Sequence, residues 1–154
     1  MLTSHGVYTE AELRSRYEIT LDNYCKTVKI EANTMDDMAK MQILPSVEKY
    51  VCDLAKAALS KQQLDPDLAC TYERTLIRKL STLTDCIAQR IEDLENVILK
   101  LDGTSDLREE SELIRDDLLP AMNTLRLACD EAEIHTAKNY WPFPKYGDLL
   151  FGVR

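Results

Sequence analysis

Apolar residues recur at steps of three and four along three long stretches of the chain, which is the spacing of a helix with one apolar face. The stretches cover about 9–61, 66–102 and 105–139. The first stripe consists of Leu21, Cys25, Val28, Ala32, Met35, Ala39, Ile43, Val47, Val51, Leu54 and Ala58. A helix of some fifty residues would be roughly 75 Å long and could not be stable alone, so we expect other helices to pack along it.

The second stripe is the most regular one, and the third repeats the same spacing. The second consists of Leu76, Leu80, Leu83, Ile87, Ile91, Leu94, Ile98 and Leu101, and the third of Leu107, Ser111, Ile114, Leu118, Met122, Leu125, Cys129 and Ala132. Short loops join antiparallel helices. The sequence therefore predicts an all-α fold: an elongated up-down-up bundle of three long helices within 9–140, after a lead-in at 1–8 and before an extended aromatic tail at 141–154.

Local signals set the helix ends. Thr9 and Glu12 have the spacing of a capping box, which predicts the start of the first helix. The pair Asp65-Pro66 predicts the start of the second, with Asp as N-cap and Pro at the first helical position. Gly103 is a suitable residue to end the second helix.

Two prolines interrupt the long helices. Pro45 and Pro120 cannot donate to the preceding turn, so each predicts a kink. The surrounding segments 43–47 and 118–122 look alike, and both prolines fall at a similar level of an up-down-up bundle. Either the two helices bend together around the second helix, or the similarity is accidental.

The residues after about 139 combine two prolines with a dense aromatic group. They include the only Trp, Trp141, and both Phe residues. The prolines favour an extended path. Aromatic side chains at this density are not left in water, so the tail either folds back on the bundle, which we expect, or docks on another surface.

Charge and hydropathy exclude several classes of protein. The 154 residues carry 27 acidic and 19 basic side chains, a net charge of −8, which disfavours nucleic acid and anionic membrane surfaces as partners. There is no apolar run of 18 residues and no signal-peptide pattern, so we expect a cytoplasmic protein that does not span a membrane.

The five cysteines are odd in number and show no Cys-x-x-Cys pair, so we interpret them as reduced structural residues. A metal site or a disulfide framework is the alternative. Four fall on or near apolar stripes: Cys25, Cys52, Cys86 and Cys129.

No group of residues predicts catalysis or metal binding. Glu131 and His135 lie one helical turn apart, but the remaining ligands of a di-iron bundle are missing. The pairs Asp36-Asp37 and Asp116-Asp117 lack a second cluster, and we interpret them as surface carboxylates. His5 in the lead-in is too isolated to complete a site.

The nucleotide-binding and nucleophile motifs are also missing from the sequence, since its four glycines form no phosphate loop. We therefore assign no catalytic, cofactor-binding or metal-binding residue to this chain. Four tyrosines, Tyr17, Tyr24, Tyr50 and Tyr72, are interpreted as core residues at helical spacing.

Two blocks of sequence resemble type III glutamine synthetases. The tail, Trp141-Pro142-Phe143-Pro144-x-Tyr146-Gly147-Asp148-Leu149-Leu150-Phe151, is similar to their C-terminus. The second block runs from Ser15-Arg16-Tyr17-Glu18-Ile19 through Asn23-Tyr24 and Lys26-Thr27-Val28-x-Ile30-Glu31-Ala32-x-Thr34-Met35-x-x-Met38-Ala39-Lys40 to Ile43-x-Pro45. The middle of the chain, from Ala57 to about Arg126, agrees in helical character more than in motif.

The resemblance implies a parent enzyme several times longer than this chain. Its catalytic domain would bind ATP, glutamate and divalent Mg or Mn, make glutamine through γ-glutamyl phosphate, and assemble into stacked hexameric rings. None of its catalytic motifs has a counterpart here. The resemblance therefore implies that this region is a non-catalytic structural and assembly domain, whose partners are the catalytic domain and neighbouring subunits.

A free-standing acidic adaptor, whose helical bundle presents a groove to a partner protein, is the alternative hypothesis. It predicts a native chain that starts at Met1, whereas the assembly hypothesis predicts a chain that continues upstream of Tyr8. An enzyme acting alone would need a polar pocket, which the apolar stripes do not predict.

Overall fold

The structure, a computed structural model, describes residues 7–152, and helix is the only regular secondary structure within that range. Helices account for 83% of the described residues, so the predicted all-α class is confirmed. Most of the lead-in, including His5, and the last two residues of the tail lie outside the described residues.

Within residues 7–152, six α-helices and two π-helical turns form three long segments and a short terminal helix. The first segment comprises α1 (Glu10–Met38), the first π turn (Ala39–Ile43) and α2 (Leu44–Leu64). The second is α3 (Thr71–Asp102). The third comprises α4 (Leu107–Leu113), the second π turn (Ile114–Leu118) and α5 (Leu119–His135), and α6 (Tyr146–Phe151) follows.

The first helix starts as its sequence predicts. The backbone N–H of Glu12 donates to the Thr9 hydroxyl at 3.2 Å, and the backbone N–H of Thr9 donates to the Glu12 carboxylate at 2.8 Å. This reciprocal pair is the predicted capping box. It satisfies two N–H groups that the first turn of a helix leaves free.

The predicted start of the second helix at Asp65-Pro66 is wrong. The Asp65 carboxylate accepts the backbone N–H of Asp67 at 3.0 Å, which makes a local turn instead of a helix cap. The chain then passes through Cys70 in a left-handed conformation, with φ of 45°, and α3 starts at Thr71. The third helix ends at His135 and not near Asn139, because Thr136 is extended and its hydroxyl donates to the Ala132 carbonyl at 2.7 Å.

All three predicted stripes face the core. Every stripe residue is buried or half-buried, and the fully buried large side chains include Val47, Leu80, Ile87, Leu94, Leu101, Ile114, Leu118 and Leu125. Three of the four tyrosines are not core residues, however, since Tyr17, Tyr24 and Tyr72 are exposed. Cys52 is also exposed, because it lies one position beyond Val51 and outside the stripe.

A π-helical turn precedes each of the two prolines. The N–H of Leu44 donates to the carbonyl of Ala39, five residues back, and Leu119 donates to Ile114 in the same way. The wider turn gives room to a proline ring that would crowd an α-helical turn. Both π turns contact α3. A concerted bend of the two segments stays a prediction.

Ion pairs between segments follow an antiparallel order. As the residue number rises along the first segment, the number of its partner in α3 falls: Lys29 pairs with Asp102, Lys40 with Glu95 and Lys61 with Glu73. Between the second and third segments, Lys79 pairs with Glu131 at 3.1 Å.

The predicted extended path of the tail is wrong for its second half. Residues 141–145 form no helix, but Tyr146–Phe151 form α6. The backbone N–H of Lys145 donates to the Asp148 carboxylate at 3.1 Å, which caps this short helix. The prolines of the tail lie before it and therefore do not oppose it.

Candidate docking groove and exposed ends

A groove of about 480 Å³ lies between the first segment and α5. Its apolar lining comes from three parts of the chain: Met35, Met38 and Ile43 from the first segment, Leu125 and Cys129 from α5, and Trp141, Phe143 and Pro144 from the tail. The volume is in the range of ligand sites in proteins, and methionines adapt their shape to what they contact. The groove can therefore accept several large apolar side chains.

The tail forms one wall of the groove because its start is fixed to two helices. The backbone N–H groups of Tyr140 and Trp141 both donate to the Ala137 carbonyl, at 2.9 and 3.3 Å. The Tyr140 hydroxyl donates to the Asp53 carboxylate at 3.0 Å, and the Tyr140 ring lies 4.9 Å from that of Tyr50. The hydrogen bond from Lys56 and, to a smaller extent, the one from Tyr140 lower the pKa of Asp53.

Trp141 and Phe143 are half-buried and pack against the core. Their rings meet edge to face with centroids 6.3 Å apart, a favourable arrangement for two aromatic side chains. The first half of the tail is therefore folded back on the helices and leaves one side of each ring available to the groove.

Acidic side chains dominate the rim of the groove. Glu31, Asp130 and Glu133 line it together with one basic residue, Arg126. Arg126 pairs with Asp130 at 3.6 Å, and Lys145, just after the groove wall, lies 4.0 Å from Glu133. The rim itself carries a net negative charge.

The Cys129 thiol in the groove is not a nucleophile at neutral pH. Burial, assisted by the neighbouring Asp130 and Cys86, raises the pKa of the Cys129 thiol to about 11. A thiol with this pKa stays protonated and behaves as a small apolar group.

The two ends of the described chain expose apolar side chains. We call residues 10–24 the α1 arm, in which Tyr17, Ile19 and Tyr24 are 63%, 59% and 43% exposed. We call residues 146–151 the α6 hook, whose Leu149, Leu150 and Phe151 are exposed. Within residues 10–20, Leu13 is half-buried and every other residue is exposed.

Asp36 and Asp116, one from each predicted acidic pair, form ion pairs with basic side chains. The interpretation of Asp36 as a surface residue is wrong, because its side chain is only 14% exposed and pairs with Lys40 at 2.9 Å. Lys40 also pairs with Glu95 of α3, which covers this part of α1. These carboxylates, Glu95 first, raise the pKa of Lys40. One oxygen of Asp36 is buried without a hydrogen-bond partner.

The other candidate ligands are not brought together. Asp116 pairs with the neighbouring Arg115 at 2.7 Å, which lowers the pKa of Asp116. Glu131 pairs with Lys79. Within residues 7–152 no three or more His, Cys, Asp or Glu side chains form a group that could hold a metal ion. The donor set of residues 7–152 therefore does not fit the divalent metal that the resemblance implies for a parent enzyme.

No helix in the described part of the chain has the length and apolar character needed to cross a membrane. The cysteines of this part are all free thiols, two of them buried.

The stripes and the composition did not predict the groove. The available signal was the resemblance, because its two blocks are more than ninety residues apart in sequence and both contribute to the lining. Met35 and Met38 belong to the first block, and Trp141 and Phe143 to the second. The first block also supplies the exposed part of the α1 arm.

Comparison with known proteins agrees with that resemblance. The family described as the glutamine synthetase C-terminal domain matches residues 1–62. A glutamine synthetase of Butyrivibrio fibrisolvens is 30% identical over the whole chain, and a type-3 glutamine synthetase of Dictyostelium discoideum is 25% identical over 98% of it. The chain spans about a fifth of the length of these relatives, 22% and 21%, and matches their C-terminal part. The chain therefore belongs to the C-terminal domains of the glutamine synthetase family.

Proposed function

We propose that this chain is the structural and assembly domain of a type III glutamine synthetase and takes no direct part in catalysis. In this proposal it contacts the catalytic domain and neighbouring subunits of the same enzyme, which joins ammonia to glutamate at the expense of ATP. The ATP and the divalent Mg or Mn would bind in that catalytic domain.

The observation that carries the proposal is the α1 arm. Lys29 pairs with Asp102, the last residue of α3, so α1 continues beyond the end of α3, where α4 is the element that contacts it. A helix with few tertiary contacts along its length is only marginally stable, and exposed apolar groups of this size are typical of contact surfaces. The exposed Tyr17 and Ile19 of the arm belong to the block that resembles the family. We infer that the rest of the enzyme covers them.

We also propose that the three segments form an up-down-up bundle. The antiparallel ion pairs between the first segment and α3, and the contacts of α3 with α5, support this arrangement. It makes the first and third segments parallel and places their π turns on either side of α3. The proposed domain then spans 9–140, and the tail closes one side of it.

Assembly of the full-length enzyme tests the proposal. The double substitution Tyr17→Glu and Ile19→Glu puts charges on the arm, and we expect native mass spectrometry to show loss of the largest assembly. Tyr72→Glu is the matched control, because Tyr72 is 69% exposed and lies on α3, away from the arm. If the arm variant assembles as the control does, the arm is not a subunit contact.

A free-standing acidic adaptor is the second candidate, and the groove is the observation that favours it. The size of the native polypeptide separates the two, by immunoblot of source cells with an antibody to this region. A band several times larger than 17.6 kDa supports the synthetase domain, whereas a band at 17.6 kDa supports the adaptor.

A further inference from the structure

We infer that a helix from the polypeptide that precedes this region packs along an exposed stripe of α1, from the arm into the groove. The inference rests on the proposed function, since it needs the longer parent chain, and it names what covers the arm and the groove. Three observations carry it: an exposed stripe with the spacing of a helix–helix contact, a groove at one end of that stripe, and the position at which the preceding chain joins.

The exposed α1 stripe runs beside the buried one. Its members alternate steps of three and four residues, which is the spacing that helices use when they pack side by side. They are Tyr17, Thr20, Tyr24, Thr27, Glu31, Thr34 and Met38. All are exposed except Met38, which is half-buried. The stripe therefore has the pattern of a helix contact, but within residues 7–152 no helix covers it.

The threonines make this stripe less polar than its composition indicates. The Thr27 hydroxyl donates to the Asn23 carbonyl, and the Thr34 hydroxyl donates to the Ile30 carbonyl, both at 2.8 Å. Because each hydroxyl proton is already used within the helix, a neighbouring apolar surface leaves no unsatisfied donor there. The stripe therefore suits the apolar face of another helix.

The exposed α1 stripe leads directly into the groove. Glu31, Thr34 and Met38 belong to both. The groove adds apolar side chains from α5 and aromatic rings from the tail, so a helix that follows the stripe makes its largest apolar contact there. Two of the three rim carboxylates, Asp130 and Glu133, already lie beside basic side chains of this chain. The groove therefore selects its occupant by apolar contact.

The order of the chain points to the preceding polypeptide as the source of the helix. In the two relatives, about four fifths of the length lies before the matched region. In the proposed parent enzyme this part joins at the start of the α1 arm, where the stripe begins. Consecutive helices usually pack against each other, and a short connection makes them antiparallel. Attachment also gives the preceding helix an effective concentration that a separate molecule lacks.

A second copy of this chain is a poorer occupant. Each copy has a net charge of −8, so two copies repel each other. The stripe extends over about 32 Å from Tyr17 to Met38. The exposed α6 hook has six residues and spans only about 9 Å, so it is too short to cover the stripe.

Hydroxyl-radical footprinting, read by mass spectrometry, compares the full-length enzyme with the 154-residue chain. We expect Tyr24 and Met38 to be oxidised several-fold more slowly in the full-length enzyme, because the helix covers them there. Tyr72 and Met41 are the matched controls, since they are 69% and 71% exposed and lie outside the stripe and the groove. Equal oxidation of Tyr24 and Met38 in the two proteins overturns the inference.

The double substitution Thr27→Glu and Thr34→Glu tests the stripe itself. Both residues are exposed, so circular dichroism should show unchanged helix content. In the full-length enzyme the two charges should displace the helix, and Tyr24 and Met38 should then react as fast as in the 154-residue chain. Thr82→Glu is the matched control, because Thr82 is exposed on α3 and its hydroxyl also donates to the carbonyl four residues back. A double variant that keeps the protection overturns the inference.

Dilution shows which chain supplies the helix. At a concentration where native mass spectrometry finds only monomers of the full-length enzyme, Tyr24 and Met38 should remain protected. Protection that is lost on dilution assigns the helix to a neighbouring subunit, and protection that appears in the 154-residue chain as its concentration rises assigns the contact to a second copy. Both outcomes overturn the inference. An uncovered stripe in an enzyme whose assembly depends on the arm overturns this inference alone and leaves the proposed function standing.

Discussion

The region of the molecule beside α3 and the two ends of the chain use apolar residues in opposite ways. Beside α3, the stripes of all three segments are covered, and Leu80, Ile87 and Leu94 are completely buried. In the α1 arm and the α6 hook, side chains of the same kind remain largely exposed. For the arm the difference follows from length, since α3 ends opposite Lys29 and cannot cover what precedes it.

This comparison shows that helical amphipathicity and burial are separate properties. Leu13, Tyr17, Leu21 and Tyr24 continue the three-and-four spacing of the first stripe into the arm, but Tyr17 and Tyr24 have no neighbour that buries them. A surface that keeps the pattern of a core without being one is suited to contact with another part of a larger protein.

We expect the largest difference in stability between a variant of Leu94 in the core and a variant of Tyr17 in the arm. Leu94→Ala leaves a cavity at a side chain with no exposed surface, and we expect it to lower the free energy of unfolding by about 2–5 kcal/mol. Tyr17→Ala changes an exposed residue of the arm and should cost less than about 0.5 kcal/mol. Urea unfolding followed by circular dichroism measures both. Equal losses would mean that the arm is as well packed as the core.

A smaller difference should separate the two halves of the tail. Trp141→Ala removes a half-buried ring that packs on the core and on Phe143, so we expect a loss of about 2 kcal/mol, below the value for a fully buried aromatic residue. Phe151→Ala in the hook should be near neutral. Urea unfolding measures both variants, and an unaffected Trp141→Ala would contradict the packing of the tail.

The smallest effect should appear in the pH dependence of stability, through two carboxylates: Glu73 beside the core and Glu12 in the arm. The hydrogen bond from Lys61 lowers the pKa of Glu73 below its ordinary 4.5. A lowered folded pKa means that Glu73 stabilises the fold fully above pH 4.5 and loses this contribution as the pH falls through the folded value. Glu12 in the capping box also has a lowered pKa, mainly through the backbone N–H of Thr9.

Melting temperatures measured from about pH 6 down to about pH 3 test this ranking. Glu73→Gln should flatten the acid-induced loss of stability more than Glu12→Gln does. Lys61 bridges α2 to α3 at a largely buried carboxylate, whereas the Glu12 contact lies at an end that can fray without unfolding the rest. A larger effect of Glu12→Gln than of Glu73→Gln would mean that the carboxylate in the arm contributes more to the acid-induced loss of stability than the one beside the core.

Local sequence signals predicted the helices better than they predicted the loops and contacts around them. The capping box at Thr9 and all three stripes were predicted because they depend on neighbouring residues and on helical period. Asp65-Pro66 misled, since an N-cap and an Asx turn place the same residue in the same local arrangement. Cys70 in a left-handed conformation gave no sequence signal.

The carboxylate at Asp36 and the hook were mispredicted for a different reason. Asp36 reads as one of two adjacent surface acids, but it pairs with Lys40 of the next turn, and Lys40 also pairs with Glu95 of α3. The hook was assigned to an extended tail because two prolines precede it, although nothing in residues 146–151 prevents a helix and Asp148 caps one.

The spacing of residues along the chain was enough to predict helices and the apolar face of each segment, and two blocks were enough to show a resemblance to the C-terminal region of type III glutamine synthetases. The packing of the helices sets which apolar residues are covered, where the two blocks meet and where the groove lies. The two kinds of information differ in their range along the chain. A helical period and a cap act over a few residues, whereas burial depends on the length and position of a neighbouring helix that can be a hundred residues away in the chain.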